Sequence, residues 1–275
     1  MKKILCFLFL LLSVTAMHGR GFGETLELPN FNSGKTVWIL RAGIGFNGVA
    51  GSAKGTQEAI WNKGDWAGSF KTTPSYVVSF GFNKSFGNHP LYWGMALDLG
   101  MRGYKTNAEW VRSATSQVSG GYDYHKKTTQ ETLLSYNVQL SPITIGYKYT
   151  FFQRMAADVH LGAYASYDFA GNYKTHTTDH IISTSKYGNR NDFKENEAKV
   201  KIGDIDGMRK YDVGINVGVG YWFGRFNIDF TWQRGFIPIY EGGDKEVSIG
   251  GKKGDKREQG NYFSNNFQLR LGYAF

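Results

Sequence analysis

The chain has 275 residues, with 32 Lys and Arg against 23 Asp and Glu, which gives a formal net charge of +9. Its 36 Gly, 5 Pro and 16% aromatic residues exclude two classes of protein. A disordered chain would be poor in aromatic residues and rich in Pro, and a helical bundle would lose about 1 kcal/mol for each interior Gly. Gly, Tyr, Phe and Trp together favour a β-rich protein.

Residues 1–16 have the layout of a secretory signal peptide. They begin with two lysines after the initiator Met, continue with an apolar run at 4–12, and end on Ala16. The run is too short to cross a bilayer as a helix. The single cysteine, Cys6, lies inside it, so the exported chain is predicted to contain no disulfide. Residues 17–35 are predicted to form a short periplasmic tail.

Eight segments alternate between apolar residues and small or polar residues with the period of a β-strand. They are 36–47, 75–84, 91–104, 132–149, 155–168, 211–222, 225–236 and 262–275. The pattern is clearest in 211–222, where Val213 and Ile215 alternate with Asp212 and Gly214. Pro142 interrupts the fourth segment and predicts a bulge there, because Pro cannot donate a hydrogen bond to a neighbouring strand.

The two faces of these segments favour a membrane barrel over a soluble β-sandwich. The polar faces are rich in Gly. On a solvated face Gly costs conformational entropy on folding without any gain, whereas in a narrow lumen it leaves volume for neighbouring side chains. The apolar faces carry large residues, as a lipid-facing belt does. Aromatic residues lie near the segment ends, as girdles do: Tyr76, Phe82, Tyr211, Tyr221, Tyr273 and Phe275.

The connections between the segments alternate in length. Long polar connections are predicted at 48–74, 105–131, 169–210 and 237–261, and short ones at 87–90, 150–154 and 223–224. Membrane barrels have long extracellular loops and short periplasmic turns. We therefore predict an all-β fold, an eight-stranded antiparallel up-and-down transmembrane β-barrel over 36–275, with four long extracellular loops and three short periplasmic turns. A ten-stranded barrel, with a further hairpin in 105–131 or 169–210, is the alternative.

The last eight residues, QLRLGYAF, resemble the C-terminal assembly signal of outer-membrane barrels. Gln268, Gly272, Tyr273 and Phe275 carry the resemblance, which implies insertion by the barrel-assembly machinery. Over its mature length the chain resembles the small outer-membrane β-barrel superfamily of OmpA-like and OmpX-like barrels. In its eight-strand, Gly- and aromatic-rich layout it is most similar to the PorT-like outer membrane protein β-barrel family. These resemblances imply a place in the outer membrane of a Gram-negative envelope.

Charged and titratable residues on the small-residue faces are predicted to lie in the lumen. Charges enclosed there must be paired or hydrated. Because strand eight lies between strands seven and one, Arg270 can face Asp229 on one side and Arg41 on the other. We predict a structural network that fills the barrel, with a gated ion path as the alternative. The predicted network contains Arg41, Asp98, Arg102, Asp158, His160, Asp212, Asp229 and Arg270.

The long loops suggest two further sites. In the last loop, cations could dock the phosphates of lipopolysaccharide, and charges that only keep the loop soluble are the alternative. These cations are Lys245, Lys252, Lys253, Lys256 and Arg257. His176 and His180 have a spacing that binds metal on a helix. Because they lie in a Thr- and Lys-rich loop, no metal site is predicted.

A hydrolytic site would need Ser, His and an acid near the outer rim of neighbouring strands. Ser166 and His160 share a face but are separated by about 20 Å along the strand, and no Gly-x-Ser-x-Gly motif occurs. We therefore predict a non-enzymatic barrel without a cofactor. It would serve envelope structure, surface interaction or a larger envelope or secretion assembly. Lipid and lipopolysaccharide are its predicted partners, and export argues against nucleic acid. A small-solute or ion channel and a lipid A-modifying enzyme are the alternatives.

Overall fold

A computed structural model gives the structure of residues 27–29, 31, 33–52, 54, 58, 62, 66–115, 121–152, 154–185, 188–205, 207–240 and 261–275. The predicted signal peptide lies outside the described residues. So do the predicted lipopolysaccharide contacts Lys245, Lys252, Lys253, Lys256 and Arg257. Within the described ranges, no helix is long and apolar enough to cross a bilayer.

The described chain forms ten β-strands. These are β1 (Thr36–Ala50), β2 (Trp66–Lys71), β3 (Thr73–Ser85), β4 (Leu91–Thr115), β5 (Tyr122–Phe152), β6 (Met155–Ser185), β7 (Gly188–Lys201), β8 (Tyr211–Phe223), β9 (Phe226–Gly235) and β10 (Phe263–Ala274). Eight of them form a ring of antiparallel pairings in the order β1, β3, β4, β5, β6, β8, β9 and β10. The other two strands lie outside the ring: β2 pairs with β4, and β7 pairs with β6.

The ring closes between the first and the last strand. Ile39 lies opposite Ala274, and the register continues without a break to Ala50 opposite Phe263. Closure satisfies the backbone groups of both strands, which lipid could not do. The predicted fold class, an antiparallel up-and-down transmembrane β-barrel, is confirmed.

Alternation along each strand separates a lipid-facing belt from the lumen. On β8, the Tyr211 and Val219 side chains are 54% and 52% exposed, whereas Asp212 is 3% exposed. Leu99 and Phe80 on neighbouring strands are exposed in the same way. A water-soluble protein would not expose so many adjacent large apolar side chains, whereas a transmembrane barrel turns such a belt to lipid.

Two local features of the strands were tested by the structure. The bulge predicted at Pro142 is confirmed, because the pairing of β5 with β6 shifts register between Leu140 and Ile143. Tyr273 lies on the outer face, opposite the exposed Phe226 in the register, as a girdle residue would. Its side chain is nevertheless only 4% exposed. Phe226 and Phe275 pack edge-on against its ring, with centroid distances of 5.4 and 5.3 Å, and cover it.

Glycines on the lumen face make room for the large side chains of the residues paired with them on the neighbouring strand. A Cβ atom added at Gly218 would lie 2.3 Å from Nε2 of His160, and one at Gly146 would lie 2.3 Å from Cζ of Tyr92. Both distances are far below van der Waals contact. The Gly-rich faces therefore reflect shared lumen volume, as the sequence indicates.

Two of the four long connections predicted from the sequence consist mostly of paired strands. Residues 105–131 and 169–210 are mostly strand, because β4, β5 and β6 continue past the belt and β7 adds to them. Outside the bilayer a paired strand needs no apolar face, so the alternation ends while the hydrogen bonding continues. We call this region the projecting sheet (66–71, 105–115, 122–132, 174–185 and 188–201), with the strand order β2, β4, β5, β6, β7.

The projecting sheet is long relative to the barrel. Twelve residues of β6, at about 3.3 Å each, carry it roughly 40 Å beyond the belt. Strand β7 lies inside 169–210, where the ten-stranded alternative would place a further hairpin. It pairs with β6 beyond the level at which β8 pairs with β6, and so it stands outside the ring.

Candidate functional site

The upper lumen, next to the projecting sheet, is organised around Arg102. Its guanidinium donates to both carboxylate oxygens of Asp168, at 2.7 to 3.0 Å, and to Asp212 at 3.0 Å. Asp212 also accepts hydrogen bonds from the hydroxyls of Tyr164 and Ser264, at 3.1 and 2.5 Å. A bidentate arginine with two carboxylates fixes the relative positions of β4, β6 and β8.

The middle of the lumen is organised around Arg270. Its guanidinium donates to Asp229 at 2.6 Å and to the Thr231 hydroxyl at 2.6 Å, and it lies 4.0 Å from Asp98. Nε2 of His160 lies 3.6 Å from the second oxygen of Asp229. Arg270, Asp229 and Asp98 are all buried. The Arg270–Asp229 ion pair is therefore removed from bulk water, and a buried charge needs its partner.

The lower lumen, next to the short turns, is organised around Asp158. This carboxylate accepts hydrogen bonds from the Tyr92 hydroxyl at 3.0 Å and from Nε1 of Trp222, and Nδ1 of His160 lies 3.1 Å away. The Lys148 ammonium lies 3.1 Å from the centroid of the Phe31 ring and 4.1 Å from that of Trp222.

Lys148 is buried at this level, and its Nζ has no hydrogen-bond partner in the described part of the chain. Cation–π contacts therefore replace hydrogen bonds around this charge.

Apolar side chains close the lumen at both ends. At the upper end Tyr104, Leu133, Tyr173, Ile202 and Tyr262 form one buried cluster. The Tyr104 and Tyr240 hydroxyls are 2.8 Å apart across it.

At the lower end, Val37, Ile39 and Trp222 form a second cluster. Leu28 and Phe31 of the N-terminal segment pack against this cluster. The described part of the predicted tail thus lies against the barrel end.

The polar clusters leave little free space between the two ends. A cavity of about 30 Å³ lies beside Arg102 and Asp168, and another of about 40 Å³ lies beside Asp98, His160 and Arg270. Each has room for one or two water molecules. The lumen is therefore filled mainly by side chains.

The eight residues predicted for the lumen network all belong to these strands, and the structure divides them. Asp98, Asp158, His160, Asp229 and Arg270 meet in the middle and lower lumen. Arg102 and Asp212 form the separate upper cluster.

Arg41 is only partly buried, and its Nε donates to Asn227 at 2.9 Å. The structure thus does not bring it into an ion pair with Arg270's partner Asp229.

Sequence reasoning missed three buried polar residues. Asp168 lies two residues after Ser166 and points to the same side of the strand, as the next inward position after the predicted set. Lys148 follows the bulge at Pro142, and restarting the alternation at Thr144 would have placed it inside. Tyr92 belongs to the inward set of β4, at its lower end, and its aromatic side chain was not read as a lumen residue.

The other candidate groups are not assembled into sites. Ser166 accepts a hydrogen bond from Arg102 at 3.3 Å, whereas His160 belongs to the clusters below it. His176 lies 2.6 Å from Glu195 and His180 lies 3.0 Å from Asn191, on neighbouring β7. Across the described residues, no group of three or more His, Cys, Asp and Glu has a geometry that could hold a metal ion.

The projecting sheet carries half-buried pairs of acidic and basic side chains on both faces. On the face that continues the lipid-facing belt, Lys126 lies 3.0 Å from Glu109, and this hydrogen bond raises the pKa of the lysine. On the opposite face, His125 lies 2.5 Å from Asp179 and its ring stacks edge-on against Trp110. Such pairs give the sheet a charged, water-compatible surface.

The residues of the C-terminal resemblance lie at the closure of the ring. Gln268 points into the lumen, where its amide donates to Gln233 at 3.3 Å. Gly272 lies opposite Arg41 in the register. The backbone N–H of Phe275 donates to Trp38 at 2.9 Å.

No family model matches the chain, and no curated protein matches its sequence. Several solved structures of outer-membrane β-barrels are similar to it at low identity. Ail of Yersinia pestis, solved with the heparin analogue sucrose octasulfate, is 10% identical over 88% of this chain and 99% of its own, with a TM-score of 0.26.

Neisserial surface protein A is 8% identical over 86% of this chain and 97% of its own, with a TM-score of 0.28. The outer membrane protease OmpT of Escherichia coli is 10% identical over 87% of this chain and 96% of its own, with a TM-score of 0.23. These scores say nothing about function.

Proposed function

We propose that this protein is a non-enzymatic outer-membrane barrel with a closed lumen, which presents the projecting sheet outside the cell for surface interaction. The filled lumen is the observation that carries the proposal. Charged side chains with their partners occupy three levels of it, and apolar clusters cover both ends. Eight strands enclose an interior that side chains fill, which supports a structural barrel over a channel.

Two further features support an outer-membrane position. The predicted signal peptide would export the chain, and the lipid-facing belt needs a bilayer. The orientation follows from the connections, since barrels of this class keep short turns on the periplasmic side. Here Gly224 and Arg225 join two ring strands, whereas the opposite end carries about 40 Å of additional sheet.

The closed lumen predicts that the purified barrel is electrically silent. Reconstituted into a planar lipid bilayer, it is expected to give no conductance steps above those of the bilayer alone. A channel-forming barrel inserted into the same bilayer by the same protocol serves as the positive control. Reproducible steps whose number grows with the amount of inserted protein would favour the channel alternative.

The orientation predicts which residues a membrane-impermeant thiol reagent reaches on intact Gram-negative cells. The predicted mature chain contains no cysteine, so single substitutions report cleanly. Asn196→Cys, exposed on β7 of the projecting sheet, is expected to be labelled. Lys84→Cys, also exposed but at the short-turn end, is expected to be labelled only after the cells are permeabilised. Labelling of Lys84→Cys alone on intact cells would refute the orientation.

In its layout the sequence resembles the PorT-like family. On that resemblance we propose, more specifically, that the barrel serves in a secretion assembly. The projecting sheet would then contact envelope or secretion proteins. Deletion of the gene, followed by comparison of the secreted proteins, tests this form. Unchanged secretion would leave the closed barrel as a structural or surface-interaction protein.

A further inference from the structure

Four lysines lie in one row across the base of the projecting sheet. The strand register places Lys71 opposite Lys105 and Lys105 opposite Thr132. Thr132 in turn lies opposite Lys174, which lies opposite Lys199. The row thus runs straight across β2, β4, β5, β6 and β7. At about 4.8 Å between neighbouring strands, it is roughly 19 Å wide.

The row faces away from the lumen. Directly paired residues share one face of a sheet, and the neighbours Tyr104, Leu133 and Tyr173, on the other face, are buried in the upper lumen cluster. The lysine row (Lys71, Lys105, Lys174 and Lys199) therefore continues the lipid-facing surface. Lys71, Lys174 and Lys199 are exposed and Lys105 is half-buried.

The row lies just beyond the lipid-facing belt. On β5 the same face continues downward from Thr132 through Leu134 to Tyr136, which is 42% exposed in the belt. On β5, one to two such steps, about 7 to 13 Å, therefore separate the row from the large lipid-facing side chains. Lysine side chains can span part of this distance while their ammonium groups stay hydrated.

No carboxylate neutralises the row within the described chain. Its four ammonium groups make no ion pair there, and Lys201, one step lower, adds a fifth charge on the same face. The carboxylates of this face stand farther out. Glu197 lies one step above the row, while Glu109 and Glu195, two steps above it, are paired with Lys126 and His176.

We propose that the lysine row binds the phosphate groups of the glycolipid in the leaflet that surrounds the upper end of the barrel. The row presents its cations side by side on the outer surface, directly beyond the lipid-facing belt, where lipid phosphates surround a barrel. Lys near such a surface attracts anionic lipid by about 1 kcal/mol per residue. The inference rests on the proposed outer-membrane position, and it assigns a contact other than the last-loop cations of the sequence.

The test titrates the full mature protein, in neutral detergent, with bis-phosphorylated lipid A and follows bound lipid by native mass spectrometry. The row variant is K71Q/K105Q/K174Q/K199Q. A control with the same charge change, K35Q/K84Q/K127Q/K194Q, removes four exposed lysines that lie elsewhere on the barrel and sheet. The row variant is expected to lose roughly tenfold or more in affinity, and the control to stay close to the parent.

Three results would overturn the proposal. The first is an equal loss of lipid A affinity in the row variant and the control. The second is binding of dephosphorylated lipid A by the parent protein as tightly as of the bis-phosphorylated form. The third is displacement of lipid A by millimolar inorganic phosphate, which would indicate a free-anion site. If the row variant does not fold, as judged by heat-dependent migration on gels, K105Q/K174Q carries the same test. A barrel that conducts ions yet binds lipid A through the row would refute the closed lumen and leave this inference intact.

Discussion

Replacement of Asp229 by Ala is expected to lower the free energy of unfolding of the barrel by about 3 to 5 kcal/mol. The Asp229 carboxylate accepts two hydrogen bonds from Arg270, at 2.6 and 2.9 Å, and one from Thr231 at 2.6 Å. Its loss leaves the buried guanidinium of Arg270 with Asp98 at 4.0 Å as its remaining ion-pair partner. A buried charge that loses its partner destabilises the fold far more than the pair stabilised it.

Urea unfolding in lipid vesicles, followed by tryptophan fluorescence, measures this loss. Asp229→Asn keeps the shape and one acceptor oxygen, so an intermediate loss is expected. Asp192→Ala is the control, because it breaks an ion pair with Arg190 on exposed β7, and such pairs contribute about 1 kcal/mol or less. Equal stability of Asp229→Ala and the parent would show that the lumen pairing does not hold the barrel together.

The sequence predicts the barrel because the lipid imposes a period that can be read from one chain. Wherever a strand crosses the bilayer, one face must be apolar and the other must fit the lumen, so Asp212 between Tyr211 and Val213 is enough to place it inside. The same constraint identified Asp229 and Arg270 as neighbours, because consecutive strands pair and the ring must close.

Where the lipid constraint ends, so does the prediction. Residues 122–131 and 174–185 form long paired strands, but both of their faces meet water and their sequence shows no alternation that separates them from a loop. The lysine row is invisible for the same reason. Lys71, Lys105 and Lys199 are distant in sequence, and only the register brings them into one line across the sheet.

Packing at the lumen ends could not be predicted for a different reason. Trp222 has the parity of Gly218 and Gly220, which marks it as inward-facing, but its partners come from other parts of the chain. Phe31 belongs to the segment before the first strand, and Lys148 follows a bulge. Period-2 alternation says which way a side chain points and gives no information about what it meets across the barrel.

Replacement of Trp222 by Ala is expected to destabilise the barrel by about 3 to 5 kcal/mol. The ring is fully buried, packs edge-on against Phe31 at a centroid distance of 4.8 Å, and lies 4.1 Å from the Lys148 ammonium. Its removal opens a cavity in the lower cluster and takes one hydrogen bond from Asp158.

Trp222→Phe separates the two contributions. It keeps most of the ring and loses the indole N–H, so a loss of about 1 to 3 kcal/mol is expected from the unsatisfied Asp158 oxygen. Trp38→Ala, which removes a ring that is 45% exposed in the lipid-facing belt, is the matched control. Its loss should be smaller than that of Trp222→Ala, because lipid fills the space that it leaves. Equal urea midpoints of unfolding for Trp222→Ala and Trp38→Ala would mean that the lower cluster contributes no more to stability than the belt. Packing of the N-terminal segment on Trp222 would then be dispensable to the closed barrel.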